Sequence, residues 1–276
     1  MNADNKTLQI ALIGFGEVGR RFSDDLREHQ AISITAYDIL CDDISRRADY
    51  EQAAVERGVT PCDSAKAACE GAHLVVSAVT AANTERVAAQ AAEFLKSGQL
   101  FFDINSAAPG TKKRASQHLA KVGADYVEGA VMAPVKKPGI GVPILAGGNR
   151  AEETAARLNA CGFNIKAVST EIGHASATKL CRSIVIKGLE ALVVDCANAS
   201  KHAGVQDSVF ASLRETFPSI DWHALAEDMK ERVATHGIRR SEEMREAGEM
   251  LAELGFDPGL ALAVATAQAR GAKSRG

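Results

Sequence analysis

Short apolar segments alternate with stretches of helical character along the chain up to residue 168. Alternation of this kind is typical of a mainly parallel sheet with helices on both faces. The segment His73–Val79 is nearly all apolar, which is the pattern of a strand buried on both faces. We therefore predict an α/β domain over residues 1–168, built as a doubly wound sheet of the Rossmann type.

The predicted strands of this domain are Ile10–Ile13, Ile32–Tyr37, His73–Val79, Leu100–Ile104, Tyr126–Met132, Pro143–Gly148 and Asn164–Ser169, with a further short element at Gly58–Thr60. The predicted helices are Arg20–Gln30, Asp43–Arg57, Ser64–Glu70, Asn83–Lys96 and Gly110–Val122. Between the strands that end at Met132 and begin at Pro143, we expect a loop, because that stretch is rich in proline and glycine.

A different pattern begins after Gly173, and it predicts an all-α second domain over residues 169–276. From Ala175 to His202 apolar residues lie on nearly all sides of one helix, and a helix that is apolar all round is a buried one. Gly188 within it indicates close helix contact. A small helical domain has few ways to cover such a helix alone, so we expect a homodimer formed through the C-terminal helical domain. Turns are predicted at Pro218, Gly237 and Gly255–Gly259.

The segment Ile10–Arg20, IALIGFGEVGR, predicts a strand that leads through a glycine-rich turn into a helix. Gly14 allows the sharp turn, Gly16 allows the backbone to approach a pyrophosphate, and Gly19 allows the helix to pack against the strand. The helix N-terminus directs N–H groups and a partial positive charge at the phosphates. We predict that a dinucleotide cofactor binds here and that it is held by Gly14, Phe15, Gly16, Glu17, Val18 and Gly19.

Asp38 ends the second predicted strand, about 20 residues after the glycines, where an acidic side chain binds ribose hydroxyls and repels a 2′-phosphate. This position favours NAD over NADP, and the alternative is a plain turn residue at the strand end. Arg46 and Arg47 lie close downstream and would moderate the preference, so NADP stays open as a cofactor. Val79 and Thr80, at the end of the predicted strand His73–Val79, are expected to line the nicotinamide ribose, and Asn105 is a further predicted cofactor-binding residue.

Composition narrows the class of partner. The chain has 276 residues, 46% of them hydrophobic and 24% charged, with a formal net charge of −3. This composition has no excess of basic residues that would indicate binding to nucleic acid or to an acidic membrane surface. Met1–Gln9 lacks the apolar core of a signal peptide, and no apolar run approaches the roughly 20 residues of a membrane span. The six cysteines lack metal-ligand spacing. We expect a cytoplasmic protein with reduced thiols and no bound metal.

Lys179 stands out in the long apolar helix, because desolvation disfavours its charge unless a partner or a function compensates. A lysine with a lowered pKa suits proton exchange with a substrate hydroxyl near neutral pH. The alternative is a lysine that extends from the helix start to solvent. Arg182 and Ser183 follow it by three and four residues and project on neighbouring sides of the helix, and Lys187 lies one turn further.

A second candidate site is the strand end Asp103–Ser106, since open α/β sheets bind ligands at the carboxyl edge. Asn105 and Ser106 offer short hydrogen-bonding side chains there. For each of them alone, turn capping is the alternative interpretation.

Taken in order, these segments resemble the β-hydroxyacid dehydrogenases, relatives of 6-phosphogluconate and 3-hydroxyisobutyrate dehydrogenase. The motifs are GFGEVG, DINSAAP, EGAVMAPVKKPGIGVPILAGG and GHASATKL, and they cover essentially the whole chain. The segments SATKL, IKGLEAL and HGIRRSEEM are closest to a subgroup whose C-terminal helical domain was long catalogued as of unknown function.

The resemblance implies that Lys179 is the catalytic lysine, that Asn105 and Ser106 take part in catalysis, and that Gly129–Pro134 is the substrate loop. Two departures concern the substrate side. Arg182 and Ser183 stand where many members carry two asparagines, and Met132-Ala133-Pro134 replaces a serine-glycine-glycine. The substrate of a known member therefore does not carry over. The predicted substrate-binding residues are Ser106, Gly129, Ala130, Met132, Ser183 and Arg240.

The sequence thus predicts an NAD(P)-dependent oxidoreductase that acts on a small hydroxy acid or its oxo counterpart, with Lys179 as general acid and base. Arg239 and Arg240 would bind a substrate carboxylate, unless they form a solvated basic face. His174 would approach the nicotinamide, unless it is structural. Two rival functions stay open. One is an imine reductase, a class that generally lacks this lysine, and the other is a non-catalytic protein that binds or senses a dinucleotide.

Overall fold

One sheet of eight strands is present in the computed structural model, which describes residues 7–29 and 31–273. Gln30, the end of the predicted helix Arg20–Gln30, lies outside this range. So do residues 1–6 of the segment Met1–Gln9 and residues 274–276 at the end of the predicted second domain. The strands are β1 (Leu8–Ile13), β2 (Ile32–Tyr37), β3 (Thr60–Pro61), β4 (Leu74–Ser77), β5 (Leu100–Asp103), β6 (Asp125–Val131), β7 (Pro143–Gly147) and β8 (Asn164–Ser169).

The strand order is β3-β2-β1-β4-β5-β6-β7-β8. Neighbouring strands are parallel from β3 to β6 and again between β7 and β8, whereas β6 and β7 are antiparallel. The order reverses between β1 and β4, and at such a point the carboxyl ends of the strands leave a crevice for a ligand. The predicted doubly wound, mainly parallel sheet is confirmed.

The sheet is buried on both faces because side chains alternate along each strand. On β1, Ile10 and Leu12 join one apolar cluster, while Ala11 and Ile13 join the cluster on the opposite face. Helices cover both clusters, as the near-continuous apolar strands require. These helices are α1 (Glu17–Leu26), α2 (Ile44–Val55), α3 (Ala65–Cys69), α4 (Thr84–Ala91), α5 (Pro109–Ala120) and α6 (Ala151–Asn159).

The helix α6, between β7 and β8, is absent from the sequence predictions. Its buried residues Ala151, Thr154, Ala155 and Leu158 do recur at helical spacing. Three of the four are alanine or threonine, so their apolar signal is weak beside the adjoining strands.

The chain forms two compact units, Met1–Lys179 and Leu180–Gly276. The second contains most of α7 (His174–His202), together with α8 (Gln206–Thr216), α9 (Trp222–Glu253) and α10 (Gly259–Lys273). None of the helices in the described part of the chain has the length and apolar character needed to cross a membrane.

The predicted turn at Gly237 is wrong, because α9 continues through it. A Cβ atom at Gly237 would lie 2.3 Å from the carbonyl oxygen of Gln268 on α10. Glycine is therefore present for close packing of the two helices, which offsets its helix-propensity cost of about 1 kcal/mol relative to alanine.

The apolar surface of α7 is not fully buried among the described residues of the single chain. Val185, Leu189 and Leu192 are 67%, 41% and 70% exposed. They recur at i, i+4 and i+7, so they form one exposed apolar face on the helix. Gly188 lies between them, and an added Cβ there would meet no heavy atom within 4 Å, so the close contact expected at Gly188 is not made among residues 7–29 and 31–273.

Candidate active site

A cavity of about 460 Å³ opens at the carboxyl ends of the strands, where the strand order reverses. Most of its lining comes from the glycine turn after β1, from the end of β2 and from the segment that joins β4 to α4. The lining residues are Ile13, Gly14, Gly16, Glu17, Val18, Tyr37, Asp38, Ile39, Asp42, Ala65, Ala78, Val79, Thr80, Asn83, Arg86, Val87, Gln90 and Phe94.

The glycine turn has the shape of a phosphate cradle. Gly14 has a φ of +95°, and a Cβ there would lie 2.4 Å from the carbonyl oxygen of Ala78. Gly16 is the N-cap position of α1, and a Cβ there would meet no heavy atom within 4 Å. The first turn of α1 therefore faces open space with no cap side chain in front of it, which suits a pyrophosphate. Gly19 packs against Gly14, and the ring of Phe15 is fully buried.

Asp38 lies at the cavity at the end of β2, as its position in the sequence suggested. Its carboxylate also accepts hydrogen bonds from the N–H groups of Phe15, at 2.6 Å, and Leu40, at 3.0 Å. A second carboxylate, Asp42, lines the same cavity and accepts a hydrogen bond of 3.0 Å from the Tyr37 hydroxyl. Burial and this bond raise the pKa of Tyr37 to about 12, so the phenol stays protonated. The cavity thus has two acidic groups at one end.

Arg86 is a lining residue that the sequence analysis missed. Its guanidinium donates to the side-chain oxygens of Asn83 and Gln90. Arg47, by contrast, donates to the Cys41 carbonyl and is not among the lining residues. No motif marks Arg86, which lies on the exposed face of α4 in an otherwise ordinary helix.

Asn105 connects the ends of two neighbouring strands. Its side-chain oxygen accepts a hydrogen bond of 2.6 Å from the N–H of Val79, and its amide nitrogen donates to Ser77 Oγ at 3.1 Å. The carboxamide therefore fixes the backbone of a residue that lines the cavity.

Behind Asn105 lies a buried ion pair. Lys112 and Asp103 are both 0% exposed, and Lys112 Nζ lies 2.8 Å from Asp103 Oδ1. The same carboxylate accepts hydrogen bonds from the Asn105 N–H, at 3.0 Å, and from the Tyr126 hydroxyl, at 2.5 Å. Burial, with the negative charge of Asp103, raises the pKa of Tyr126 well above its ordinary value, which keeps that hydroxyl a donor. These bonds hold the strand end that carries Asn105 and Ser106.

Lys179, the last residue of the first unit, lies beside Ser106. Its ammonium nitrogen Nζ is 2.5 Å from Ser106 Oγ, and both side chains are half-buried. The structure thus brings together two of the predicted catalytic residues, which are 73 positions apart in the sequence. An amine and a hydroxyl in direct contact can pass a proton between them or to a third group.

The predicted substrate loop divides into two parts. Gly129 and Ala130 lie inside β6 and are buried, and a Cβ at Gly129 would come within 2.8 Å of Ile104 and Phe102. Met132 follows the strand, is half-buried, and donates its N–H to the Pro143 carbonyl at 2.9 Å. His174 is exposed and lies 3.2 Å from Glu171.

Two further predicted substrate residues have internal partners in the second unit. Ser183 is buried and donates to Glu243, which also lies 2.9 Å from Lys187 Nζ. Arg240 is paired with Glu190, a carboxylate only 1% exposed. Both side chains are thus engaged within the helical unit. Within the described range, no group of three or more histidine, cysteine or acidic residues is placed to hold a metal.

Comparisons with known proteins agree with this geometry. Residues 9–168 match the NAD binding domain of 6-phosphogluconate dehydrogenase, and residues 200–271 match a domain of unknown function, DUF1932. A conserved hypothetical protein from Sinorhizobium meliloti 1021 is 37% identical, with 99% of this chain and 92% of that chain covered and a TM-score of 0.84.

Two more solved structures place the chain among dehydrogenase folds. A conserved protein of unknown function, whose structure is similar to 3-hydroxyacid dehydrogenases, is 29% identical over 97% of this chain and 98% of that chain, with a TM-score of 0.77. The 3-hydroxyisobutyrate dehydrogenase of Mycobacterium tuberculosis is 16% identical over 97% and 94%, also with a TM-score of 0.77, which shows the shared fold. Imine reductases have the fold as well.

We expect Lys112→Met to destabilise the first unit by about 3–5 kcal/mol, because it leaves Asp103 as an uncompensated buried charge. Urea denaturation followed by circular dichroism measures this, since the single tryptophan, Trp222, lies in the second unit. The control is Arg114→Ala, which breaks a largely exposed pair with Glu85 and should cost no more than about 1 kcal/mol. Equal small losses in both variants would contradict a role for the buried pair.

Proposed function

The chain belongs to the family defined by the NAD binding domain of 6-phosphogluconate dehydrogenase, and from this premise we propose that it is an NAD(P)-dependent oxidoreductase of small hydroxy acids or the corresponding oxo acids. The contact between Lys179 Nζ and Ser106 Oγ carries the proposal. This contact supports the proposal because an amine beside Ser106, at the end of β5, is able to exchange a proton with a bound substrate. The neighbouring Asn105 accepts a hydrogen bond from the N–H of Val79, which lines the cavity.

The cofactor fits the residues present. The first turn of α1, with Gly16 and Glu17, would hold the pyrophosphate, and Asp38 would hold the ribose hydroxyls. Val79 and Thr80 would line the second ribose, and Arg86 would supply a cation at the cavity. When bound, the nicotinamide accepts or gives a hydride.

Lys179 accepts the hydroxyl proton in one direction of the reaction and donates it in the other. In oxidation, its neutral amine takes the proton of the substrate hydroxyl, and the hydrogen on the carbon that bears this hydroxyl leaves with its electron pair as a hydride. In reduction, the ammonium returns a proton to the oxygen of the former carbonyl group. Ser106, which is in contact with the amine, holds it toward the strand end, and the neighbouring Asn105 fixes the backbone of Val79 at the cavity. Binding the reactants in this fixed geometry removes most of the entropy cost of bringing them together.

One rival reaction and one rival class have observations in their favour. Imine reductases share the fold, and reduction of a C=N bond uses the same cofactor chemistry. A non-catalytic dinucleotide sensor is favoured by Ser183 and Arg240, whose side chains are paired within the helical unit. Lys179 beside Ser106 favours the hydroxy acid reaction over both.

Lys179→Ala should lower kcat about 10²- to 10⁴-fold, the usual contribution of a positioned general acid or base. Hydroxy acids, oxo acids and cyclic imines are screened with NADH and NADPH, and turnover is read at the nicotinamide absorbance. Nucleotide affinity, from NADH fluorescence, should stay unchanged, and Lys166→Ala, an exposed lysine on β8, is the control. Unchanged turnover in Lys179→Ala would rule out the lysine mechanism. Turnover of imines alone would favour the imine reductase. No turnover of any of these compounds by the wild type would favour the dinucleotide sensor.

For the cofactor, we propose NAD over NADP because Asp38 and Asp42 both line the cavity. A unit charge about 5 Å from a phosphate charge is worth about 3 kcal/mol at an effective dielectric constant of about 20. Asp38→Asn should therefore raise the affinity for NADPH relative to NADH at least about tenfold. The two dissociation constants are measured by nucleotide fluorescence. Asp43→Asn makes the same change at an exposed helix cap that is not among the lining residues, and it should leave the ratio as it is. A constant ratio in Asp38→Asn would show that the carboxylate does not select the cofactor.

We also propose that a second copy of the chain covers the exposed apolar face of α7, made by Val185, Leu189 and Leu192. The face borders a wholly apolar cavity of about 180 Å³, which Phe210 and Trp222 also line. Contiguous exposed apolar surface of this kind is typical of a subunit interface.

Leu192→Glu should convert a dimer into a monomer, because it puts a charge into the middle of that face. Sedimentation velocity at micromolar concentration measures the change. Val168→Glu, on an exposed apolar residue of β8, is the matched control and should remain dimeric. A monomeric wild-type chain would refute the proposal.

A further inference from the structure

Glu128, on β6, is a fully buried carboxylate that the proposed reaction does not use. It accepts four hydrogen bonds, all from one short segment. Gly173 and Ala175 donate their N–H groups to Oε1 at 2.6 and 3.0 Å. Ser176 donates its N–H to Oε2 at 3.3 Å and its hydroxyl to the same oxygen at 2.5 Å. A buried carboxylate is costly unless its oxygens are satisfied in this way.

Three of the four donors lie in the first turn of α7, which starts at His174, and the fourth is the N–H of Gly173 immediately before it. The first N–H groups of a helix have no partner within the helix, and the helix N-terminus carries a partial positive charge. Glu128 therefore acts as a cap that is supplied by a strand of the sheet rather than by the chain that precedes the helix. It binds the first turn of α7 to β6.

Lys179 follows Ser176 by three residues on the same helix, so the position of the first turn determines where the amine lies. The partner of that amine, Ser106, follows β5, and β5 pairs with β6 so that Asp103 lies opposite Glu128. Ser106 is thus held by its covalent connection to β5, whereas Lys179 is held to β6 through the hydrogen bonds that Glu128 accepts from the start of α7. The two strands are adjacent in the sheet.

The space around Glu128 is fitted to this side chain. Gly147 on β7 lies opposite Glu128 in the antiparallel pair. A Cβ at Gly147 would lie 2.6 Å from Glu128 Oε1 and 3.0 Å from the Glu171 carbonyl oxygen. A glycine at this position therefore leaves room for the carboxylate to reach the helix.

We propose that Glu128 is a positioning residue, whose bonds to Gly173–Ser176 hold Lys179 at Ser106 in the geometry of proton transfer. The inference rests on the proposed function, because it assigns Glu128 a part in the same reaction. Glu128 acts through the helix and does not touch the reactants.

The first test needs no substrate. Lys179 is acetylated by a trace of acetic anhydride at one mildly alkaline pH, and the modified peptides are quantified by mass spectrometry. In Glu128→Gln the amide nitrogen faces hydrogen-bond donors, so some of the bonds between residue 128 and Gly173–Ser176 are lost. Lys179 should then be labelled several-fold faster than in the wild type. Ser176→Ala removes one donor and should show a smaller change in the same direction. This milder variant serves if Glu128→Gln does not fold.

Two controls separate positioning from a general loss of structure. Lys96 and Lys166, measured in the same digests, should keep their labelling rates in every variant. Glu152→Gln makes the same chemical change in the exposed first turn of α6 and should leave Lys179 unaffected. A labelling rate of Lys179 that is unchanged in both Glu128→Gln and Ser176→Ala overturns the proposal.

The second test uses the substrate that the screen identifies. Glu128→Gln should lower kcat about 10- to 100-fold, the cost of misplacing a reacting group by about 1 Å, with the KM for the nucleotide unchanged. Faster labelling without a fall in kcat overturns the positioning role. If the wild type turns over no substrate, the proposed function fails, and the labelling experiment alone decides whether Glu128 holds Lys179.

Discussion

Two buried carboxylates in register on adjacent strands are the constraint on which the candidate site depends. Asp103 on β5 and Glu128 on β6 lie opposite each other and are both 0% exposed. Each charge would be strongly unfavourable unless satisfied. Asp103 is satisfied by Lys112 and Tyr126, and Glu128 by the start of α7. Satisfying these two charges fixes a strand end and a helix start, and these are the two elements that meet in the candidate site.

The two halves of the site are built on opposite principles. The cofactor half depends on missing side chains, since Gly14 and Gly16 let backbone N–H groups and a helix N-terminus face the cavity. The half around Lys179 depends on buried polar side chains that position others. The first kind of site leaves a clear sequence motif, because only glycine tolerates the geometry. The second kind leaves almost none, because its positioning residues are scattered and ordinary in type.

This contrast explains what could be predicted from the sequence. The sheet and the glycine turn follow from local patterns of apolar residues and glycine, and the structure has both. The proximity of Lys179 and Ser106 was suggested by a family resemblance, since no local pattern joins residues 73 positions apart. Glu128 looked like one polar residue in a strand. Arg240 and Ser183 looked available for a ligand, because their buried partners lie on other helices.

The antiparallel pairing of β6 and β7 has an evolutionary consequence. Because Gly147 lies directly opposite Glu128, any larger side chain at position 147 would occupy the space of the carboxylate. The two positions therefore cannot change independently. A shorter acidic side chain at position 128 would leave space for a larger residue at 147 but would lose the hydrogen bonds to the start of α7. Homologues that keep Glu128 should therefore also keep glycine at 147. Covariation of this pair among homologues would record how the link between Glu128 and the start of α7 was inherited, separately from any selection on Lys179.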